Sequence, residues 1–355
     1  MLVDLLPELQ EKIWVYLPLQ DLKNLSLTCK QQNGVIAPSL FRCVKICVEG
    51  ADQLIEESVD NVKLVEKLQL AEQLHIVGDE EYMCNEVLSD CVCRFVQGHG
   101  IFTTVKSLTL RRLDLNEKQF ELLCNGLPAI KNLVLFAIIE ETPSPLRYTV
   151  HLRKLTSLQI LECAYGDIDD SVMEDIGEVE SLVQLRLSRC TRVTDAGLNY
   201  LTRCNKLEVL ILDFFTITAH SLTPLMNLRK LELEDCAILI GGMASLASLP
   251  KLEELSLISC GIDDERFKLI IELTSLKKLC IGQYGSTVDD NSLAGIASLV
   301  LLEDLWILDG DWLDQDMLVN ISKLPRLKRL ELHSRTIHDL NTSLFSDDVK
   351  LVLSN

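Results

Sequence analysis

The strongest constraint on this chain is a set of leucines that returns in register. Between Leu182 and Leu198 the sequence reads LVQLRLSRCTRVTDAGL. Leu182, Leu185 and Leu187 follow L-x-x-L-x-L, Cys190 comes three residues later, and Thr194, Asp195 and Gly197 lead into Leu198. The alternating half predicts a short strand with its leucines on one face. The second half predicts a turn, with Thr194 or Asp195 capping a helix that carries Leu198 and Leu201. One such unit has nothing to bury its leucines against, so it demands copies on both sides.

The copies are present. The first apolar position of each L-x-x-L-x-L falls at Val105, Ile130, Leu158, Leu182, Leu207, Leu228, Leu252, Leu276, Leu302 and Leu327, at intervals of 21 to 28 residues. Repeats of roughly 20–29 residues with this pattern resemble leucine-rich repeats. The position of Cys190 recurs as Cys236 and Cys260. There a thiol is predicted to turn inward and bond backbone at the bend. Helical spacing is predicted at Asp195–Leu201, Ala219–Leu225, Asp263–Ile271 and Asn291–Leu299. The predicted fold class is α/β, a leucine-rich-repeat solenoid (horseshoe), preceded by a small all-helical module. Strands pack closer than helices, so they are predicted to line the concave side. Three strand leucines per repeat, at about 1.5–3 kcal/mol each before entropy, make neighbouring repeats the main source of stability.

Residues 1–42 depart from the repeat. Leu6, Leu9, Ile13 and Leu17 make a helical stripe, with Pro7 in the first turn and Pro18 as the stop. A second short helix opening at Asp21 buries Leu22, Leu25 and Cys29, and Val35, Ile36, Leu40 and Phe41 form a third apolar set. About 40 residues make too small a core to stand alone, so the module leans on the repeats or on a partner.

The string LLPELQEKIWVYLPLQDLKNLSLTCK resembles an F-box, through Leu6-Pro7-Glu8, Ile13, Leu17-Pro18-Leu19, Asp21-Leu22, Leu25 to Leu27, Cys29-Lys30 and the closing Leu40-Phe41. Gln31, Gln32 and Asn33 stand where that family often carries an aromatic. The chain thus resembles F-box proteins with leucine-rich repeats of the cysteine-containing type. That resemblance implies a substrate receptor: the F-box docks a Skp-type adaptor and through it a cullin-based ubiquitin ligase, while the repeats hold the target protein. It implies adaptor contacts at Leu6, Pro7, Ile13, Leu17, Pro18, Leu22 and Leu25. The domain plan is F-box 1–42, irregular first repeats 43–100, regular repeats 101–340 and a C-terminal cap 341–355. Within 43–100, Cys43 to Val48 and parts of Leu68 to Val77 alternate as strands, whereas Ala51 to Val59 and Glu81 to Val96 have helical spacing.

Composition bounds the partners. The net charge is −19. A strongly acidic chain is a poor match for nucleic acid or anionic membrane, and a fair one for a basic protein. The alternative function is therefore an acidic repeat scaffold or inhibitor that binds a basic protein without ubiquitination. The start of the chain carries Asp4 and Glu8 and no basic-then-apolar run, so no signal peptide is expected. The 13 cysteines then read as reduced, small buried groups, and the expected localisation is cytoplasmic, nuclear or both. No homo-oligomer is expected.

No phosphate-binding loop, H-E-x-x-H or G-x-S-x-G occurs. Cys91-x-Cys93, with Cys84 nearby, lacks the second ligand pair that zinc requires and reads as helical core. No catalytic residue, metal site or cofactor is assigned, and the chain is read as no enzyme. Target contacts are instead expected at strand positions between the leucines and at the rim beyond them: Phe136, Ile160, Ile211, Phe214, Tyr284, Trp306, Trp312 and Arg329. Ile258, Leu308 and Tyr165 share those positions. Large apolar groups there are not needed by the core, and aromatic and arginine side chains are favoured interface anchors. The charged members Arg186, Lys230, Glu232, Glu234, Glu254, Lys278 and Asp304 would set register with the partner.

Overall fold

A computed structural model describes residues 43–47, 69–78, 86–87, 92–94, 96, 102–139, 148–166, 168–218, 220–238, 240–282, 293–308, 310–335 and 341–354. The adaptor-contact residues Leu6, Pro7, Ile13, Leu17, Pro18, Leu22 and Leu25 lie outside them, as do Tyr284 and most of the helical spans expected before residue 100. The chain divides into two compact units, Met1–Glu162 and Cys163–Asn355.

In the first unit, β1 (Cys43–Cys47) pairs in parallel with β2 (Gln73–Val77), β2 with β4 (Ser107–Asp114), and β4 with β5 (Asn132–Ile139). The short β3 (Glu86–Val87) pairs with the far end of β4. Leu108 lies opposite Leu133 and Leu110 opposite Leu135, all buried. Helix α1 (Glu117–Gly126) opens on a capping box, in which Asn116 Oδ1 accepts from the Gln119 amide at 3.0 Å and Gln119 Oε1 accepts from the Asn116 amide at 3.0 Å. The 3-10 turn Tyr148–Lys154 is tied to α1 by Lys154 to Glu121 at 2.7 Å and His151 to Glu117 at 3.1 Å. Strand β6 (Ile160–Ala164) carries the boundary between the units.

The second unit continues with β7 (Gln184–Ser188), β8 (Val209–Asp213), β10 (Lys230–Glu234), β12 (Glu254–Ile258), β13 (Lys278–Gly282), β14 (Asp304–Leu308), β15 (Arg329–His333) and β16 (Lys350–Ser354). All pair in parallel in that order. A side ribbon joins β9 (Thr216–Ile217) to β11 (Ala237–Ile238). Parallel neighbours need a crossover, and each repeat supplies one on the leucine side. Helices α2 (Asp170–Gly177), α3 (Asp195–Leu198), α4 (Ile240–Ala247), α5 (Asp264–Ile270) and α6 (Gln315–Ile321) fill this role, with 3-10 turns in other repeats. Asp169, Thr194, Asp263 and Asp314 cap α2, α3, α5 and α6. Of the two candidates for the α3 cap, Thr194 takes the place and Asp195 lies in the first turn.

The register turns the spaced leucines into continuous rows. Leu185, Leu210, Leu231, Leu255, Leu279, Leu305 and Leu330 are successive partners, and every one is buried. The repeat-opening residues from Val105 to Leu327 are all buried as well. The tail adds β16 to this sheet, but its Leu351 and Val352 stay half-buried and Leu353 is exposed. It extends the last leucine face by one strand and does not close it.

Two devices hold successive repeats together. The thiols turn inward as expected: Cys190 donates to Ser188 O at 3.5 Å and Cys163 O at 3.8 Å, Cys236 to Leu212 O and Glu234 O at 3.3 Å, and Cys260 to Leu233 O and Ile258 O at 3.3 Å. Burial pushes Cys190 and Cys260 up to about 12 and Cys236 up to about 11, so each stays a protonated donor. On the helix side, Asp170 accepts from the Thr194 amide and hydroxyl, both at 2.7 Å. One repeat on, Asp195 accepts from the Thr218 amide at 2.8 Å and the Ser221 hydroxyl at 2.9 Å.

The residue in the sixth place from the starts of β4, β5, β6, β7, β8, β10 and β12 lies in the left-handed region. Arg112, Ala137, Tyr165, Arg189, Phe214, Asp235 and Ser259 have φ between 49° and 63°. None is glycine, and the conformation costs about 1–2 kcal/mol for an L residue. At Arg189, Asp235 and Ser259 the kink ends the leucine alternation and leads into the cysteine turn, whereas β4 and β5 run on past it. Its amide still serves the ladder: Arg189 N donates to Asp213 O at 3.0 Å and Phe214 N to Glu234 O at 2.8 Å.

Candidate protein-contact face

Opposite the leucines, the alternate strand residues of the second unit form three rows. The first runs Gln184, Val209, Lys230, Glu254, Lys278, Asp304, Arg329, Lys350. The second runs Arg186, Ile211, Glu232, Ser256, Cys280, Trp306, Glu331, Val352. The third includes Ser188, Asp213, Glu234, Ile258, Gly282 and Leu308. Among the described residues no crossover covers this side, and the described helices of the unit follow the buried rows.

Over β12, β13 and β14 the face sinks into a dish of about 440 Å³. Ser256 and Cys280 make its floor. Ser256 and Cys280 face each other in the second row, and Gly282 follows in the third. Larger neighbours make its walls, namely Ile258, Trp306 and Leu308. Gly282 is required where it stands: a Cβ there would lie 2.6 Å from Leu308 Cβ and 3.1 Å from Leu308 O. Burial raises the Cys280 thiol, so the floor carries no charge.

The rim is charged but internally paired. Lys230 meets Glu232 at 2.8 Å, and Lys278 meets Glu254 at 3.0 Å, which raises Lys278 by hydrogen bond and charge. Arg329 stacks over the Trp306 ring at 4.8 Å and reaches Glu331 at 2.5 Å, and the indole N–H of Trp306 donates to Asp304 at 3.1 Å. His333 bonds Glu331 at 2.9 Å and Ser354 at 2.8 Å. The His333 and Arg329 contacts hold Glu331 below the usual carboxylate range. One atom is left over: the Arg329 Nε is buried with no hydrogen-bond partner.

A second cluster sits at the kinks. Arg189 lies between two rings, 5.3 Å from Tyr165 and 3.9 Å from Phe214, and both aromatics are exposed. Beside it the carboxylates crowd. Asp213 is buried and accepts from Arg186 at 3.2 Å, while burial, Asp213 and Asp235 together raise Glu234.

The expected contact residues therefore scatter. Trp306 and Arg329 meet at the dish, together with Ile258 and Leu308. Phe214 joins Tyr165 and Arg189 at the kinks instead. Phe136 is half-buried under the Arg111 guanidinium, 4.6 Å away, and Ile160 is half-buried on β6, both in the first unit. Trp312 is half-buried in the turn before α6, its indole N–H without a partner, and does not line the dish. Ile211 is a correction. It is buried at 7% exposure, because its register partners Arg186 and Glu232 flank it and Arg186 reaches past it to Asp213. Sequence reasoning also missed Ser256, Cys280 and Gly282. The signal was available in the small residues beside strand leucines in two adjacent repeats, with Trp306 in the next.

Among the described residues, no group of three or more His, Cys, Asp or Glu is placed to hold a metal ion. No described helix is long and apolar enough to cross a membrane.

Parallel strands in register, buried leucine rows and inward-turned cysteines define a leucine-rich-repeat fold. Among solved structures, the chain is similar to the crystal structure of an internalin from Listeria monocytogenes strain 4b F2365, with a TM-score of 0.52 and 18% identity over 87% of this chain and 88% of that one. No protein-family model and no curated protein matches the sequence.

Proposed function

We propose that this chain is the substrate-recognition subunit of an SCF-type ubiquitin ligase. Residues 2–42 dock a Skp-type adaptor through Leu6, Pro7, Ile13, Leu17, Pro18, Leu22 and Leu25, and the repeats hold the target protein. The observation that carries the target-holding half is the uncovered strand face of the second unit, with a dish lined by Trp306, Leu308 and Ile258. Apolar groups of that size, uncovered and ringed by polar ones, mark protein contacts. The F-box resemblance of the first 42 residues supports the adaptor half. Such a receptor does no bond chemistry. It holds a target lysine near a ubiquitin-loaded enzyme and so converts a bimolecular encounter into a local one. Its setting would be the cytoplasm or nucleus.

The second reading is a stoichiometric scaffold or inhibitor of a basic protein. The net charge of −19 and the crowding of Asp213, Glu234 and Asp235 favour it. Affinity purification of the full chain, with cullin activity blocked, separates the two. The receptor reading expects a Skp-type adaptor to co-purify with the wild type and to be lost from the Leu6→Ala/Pro7→Ala variant. Absence of the adaptor from the wild type would overturn it and leave the scaffold.

A further inference from the structure

We infer that the dish over β12–β14 receives a bulky, uncharged apolar side chain, of leucine, phenylalanine or tryptophan size, presented by a segment of a partner protein. The inference rests on the repeats as the target-holding surface and is independent of the adaptor half.

Charge selects the chemistry of the occupant. Lys230, Glu232, Glu254, Lys278 and Arg329 surround the dish, and each already has an opposite charge within 4.0 Å. A charged group entering would give up part of its hydration and find no free counter-ion. An apolar group pays no such cost and covers the exposed parts of Ile258, Trp306 and Leu308. The floor agrees, since Cys280 is held in its neutral form by burial and Ser256 is uncharged.

Shape selects the kind of molecule. The dish has room for a large side chain but stands open to solvent. Small-molecule sites enclose most of their ligand, and an open dish cannot. A side chain on a larger body needs no enclosure, because the flanking protein excludes water around it, as at interface hot spots.

The test is a selection of phage-displayed random dodecapeptides on the immobilised full-length chain, followed by fluorescence-polarisation titration of the winners. The expected winners share one Leu, Phe or Trp, and alanine at that place weakens binding at least tenfold. Ser256→Phe, which fills the dish from its floor, weakens them at least tenfold, and so does Trp306→Ala, which removes a wall. A thermal melt of each variant must match the wild type. Leu6→Ala/Pro7→Ala leaves the affinities unchanged. Winners that depend on charged residues, or that bind Ser256→Phe as tightly as the wild type, overturn the dish and leave the target-holding reading standing. A library that yields no binder takes both down.

Discussion

Replacing Gly197 by alanine probes how one repeat grips the next. A Cβ at Gly197 would lie 2.3 Å from the Asp170 Oδ1 and 3.1 Å from the Asp170 Cα. The carboxylate must swing away, and it then loses the Thr194 amide and hydroxyl, each now at 2.7 Å. A hydrogen bond to a charged group contributes about 1.5–3 kcal/mol when buried. These bonds are exposed, so about 1.5 kcal/mol for the pair is a fair figure. The contact with the Cα adds about 0.5–1 kcal/mol of strain. Alanine returns about 1 kcal/mol over glycine in a helix. Gly197→Ala alone should therefore cost about 1–1.5 kcal/mol, and Asp170→Ala alone a similar amount. In the Asp170→Ala background there is no carboxylate left to displace, and Gly197→Ala should cost less than about 0.5 kcal/mol. The assay is urea unfolding of all four proteins, followed by far-UV circular dichroism. Equal costs for Gly197→Ala in both backgrounds would refute the claim that this glycine exists to admit the inter-repeat carboxylate.

Other consequences are simpler to read. Ala137 occupies a left-handed position at φ 52°, so Ala137→Gly should stabilise by up to about 1 kcal/mol in the same assay, and a loss of that size would contradict the strain argument. The turn thiols should resist alkylation at pH 8 in the native chain, with Cys190 and Cys260 at about 12 and Cys236 at about 11, and react once the chain is unfolded; mass spectrometry of the labelled sites checks both. Because these thiols are held protonated in the folded state, their contribution is complete below the ordinary thiol value near 8.5 and drains away as pH rises toward 11–12. Stability that is flat from pH 8 to 11 would contradict that sign.

The repeat was legible in the sequence because its cause is local and periodic. Leu182, Leu207, Leu228 and Leu252 each open a repeat two residues before its strand, and burial leaves them one common side. The cysteine turn was legible for the same reason, since Cys190, Cys236 and Cys260 hold one offset from the strand. Helices were harder. The span Ala219–Leu225 yields only the 3-10 turn His220–Leu222, because β8 and β10 start 21 residues apart and little chain remains between them. The dish was legible only in its walls and rim, at Ile258, Trp306, Leu308 and Arg329, and not in its floor. The floor is formed by two small side chains, Ser256 and Cys280, and attention to large residues passes over them. Ile211 went the other way: its position faces the open side, yet the reach of Arg186 to Asp213 closes over it, which no pattern along one strand reveals.

The central claim is that this chain joins an adaptor at one end to a target along its repeats. Light scattering of the purified full chain, mixed with a purified Skp-type adaptor and resolved by size, tests it most directly. The account predicts a one-to-one complex that forms with wild type and with Ser256→Phe, and does not form with Leu6→Ala/Pro7→Ala. Separate elution of wild-type chain and adaptor at micromolar concentration would contradict it.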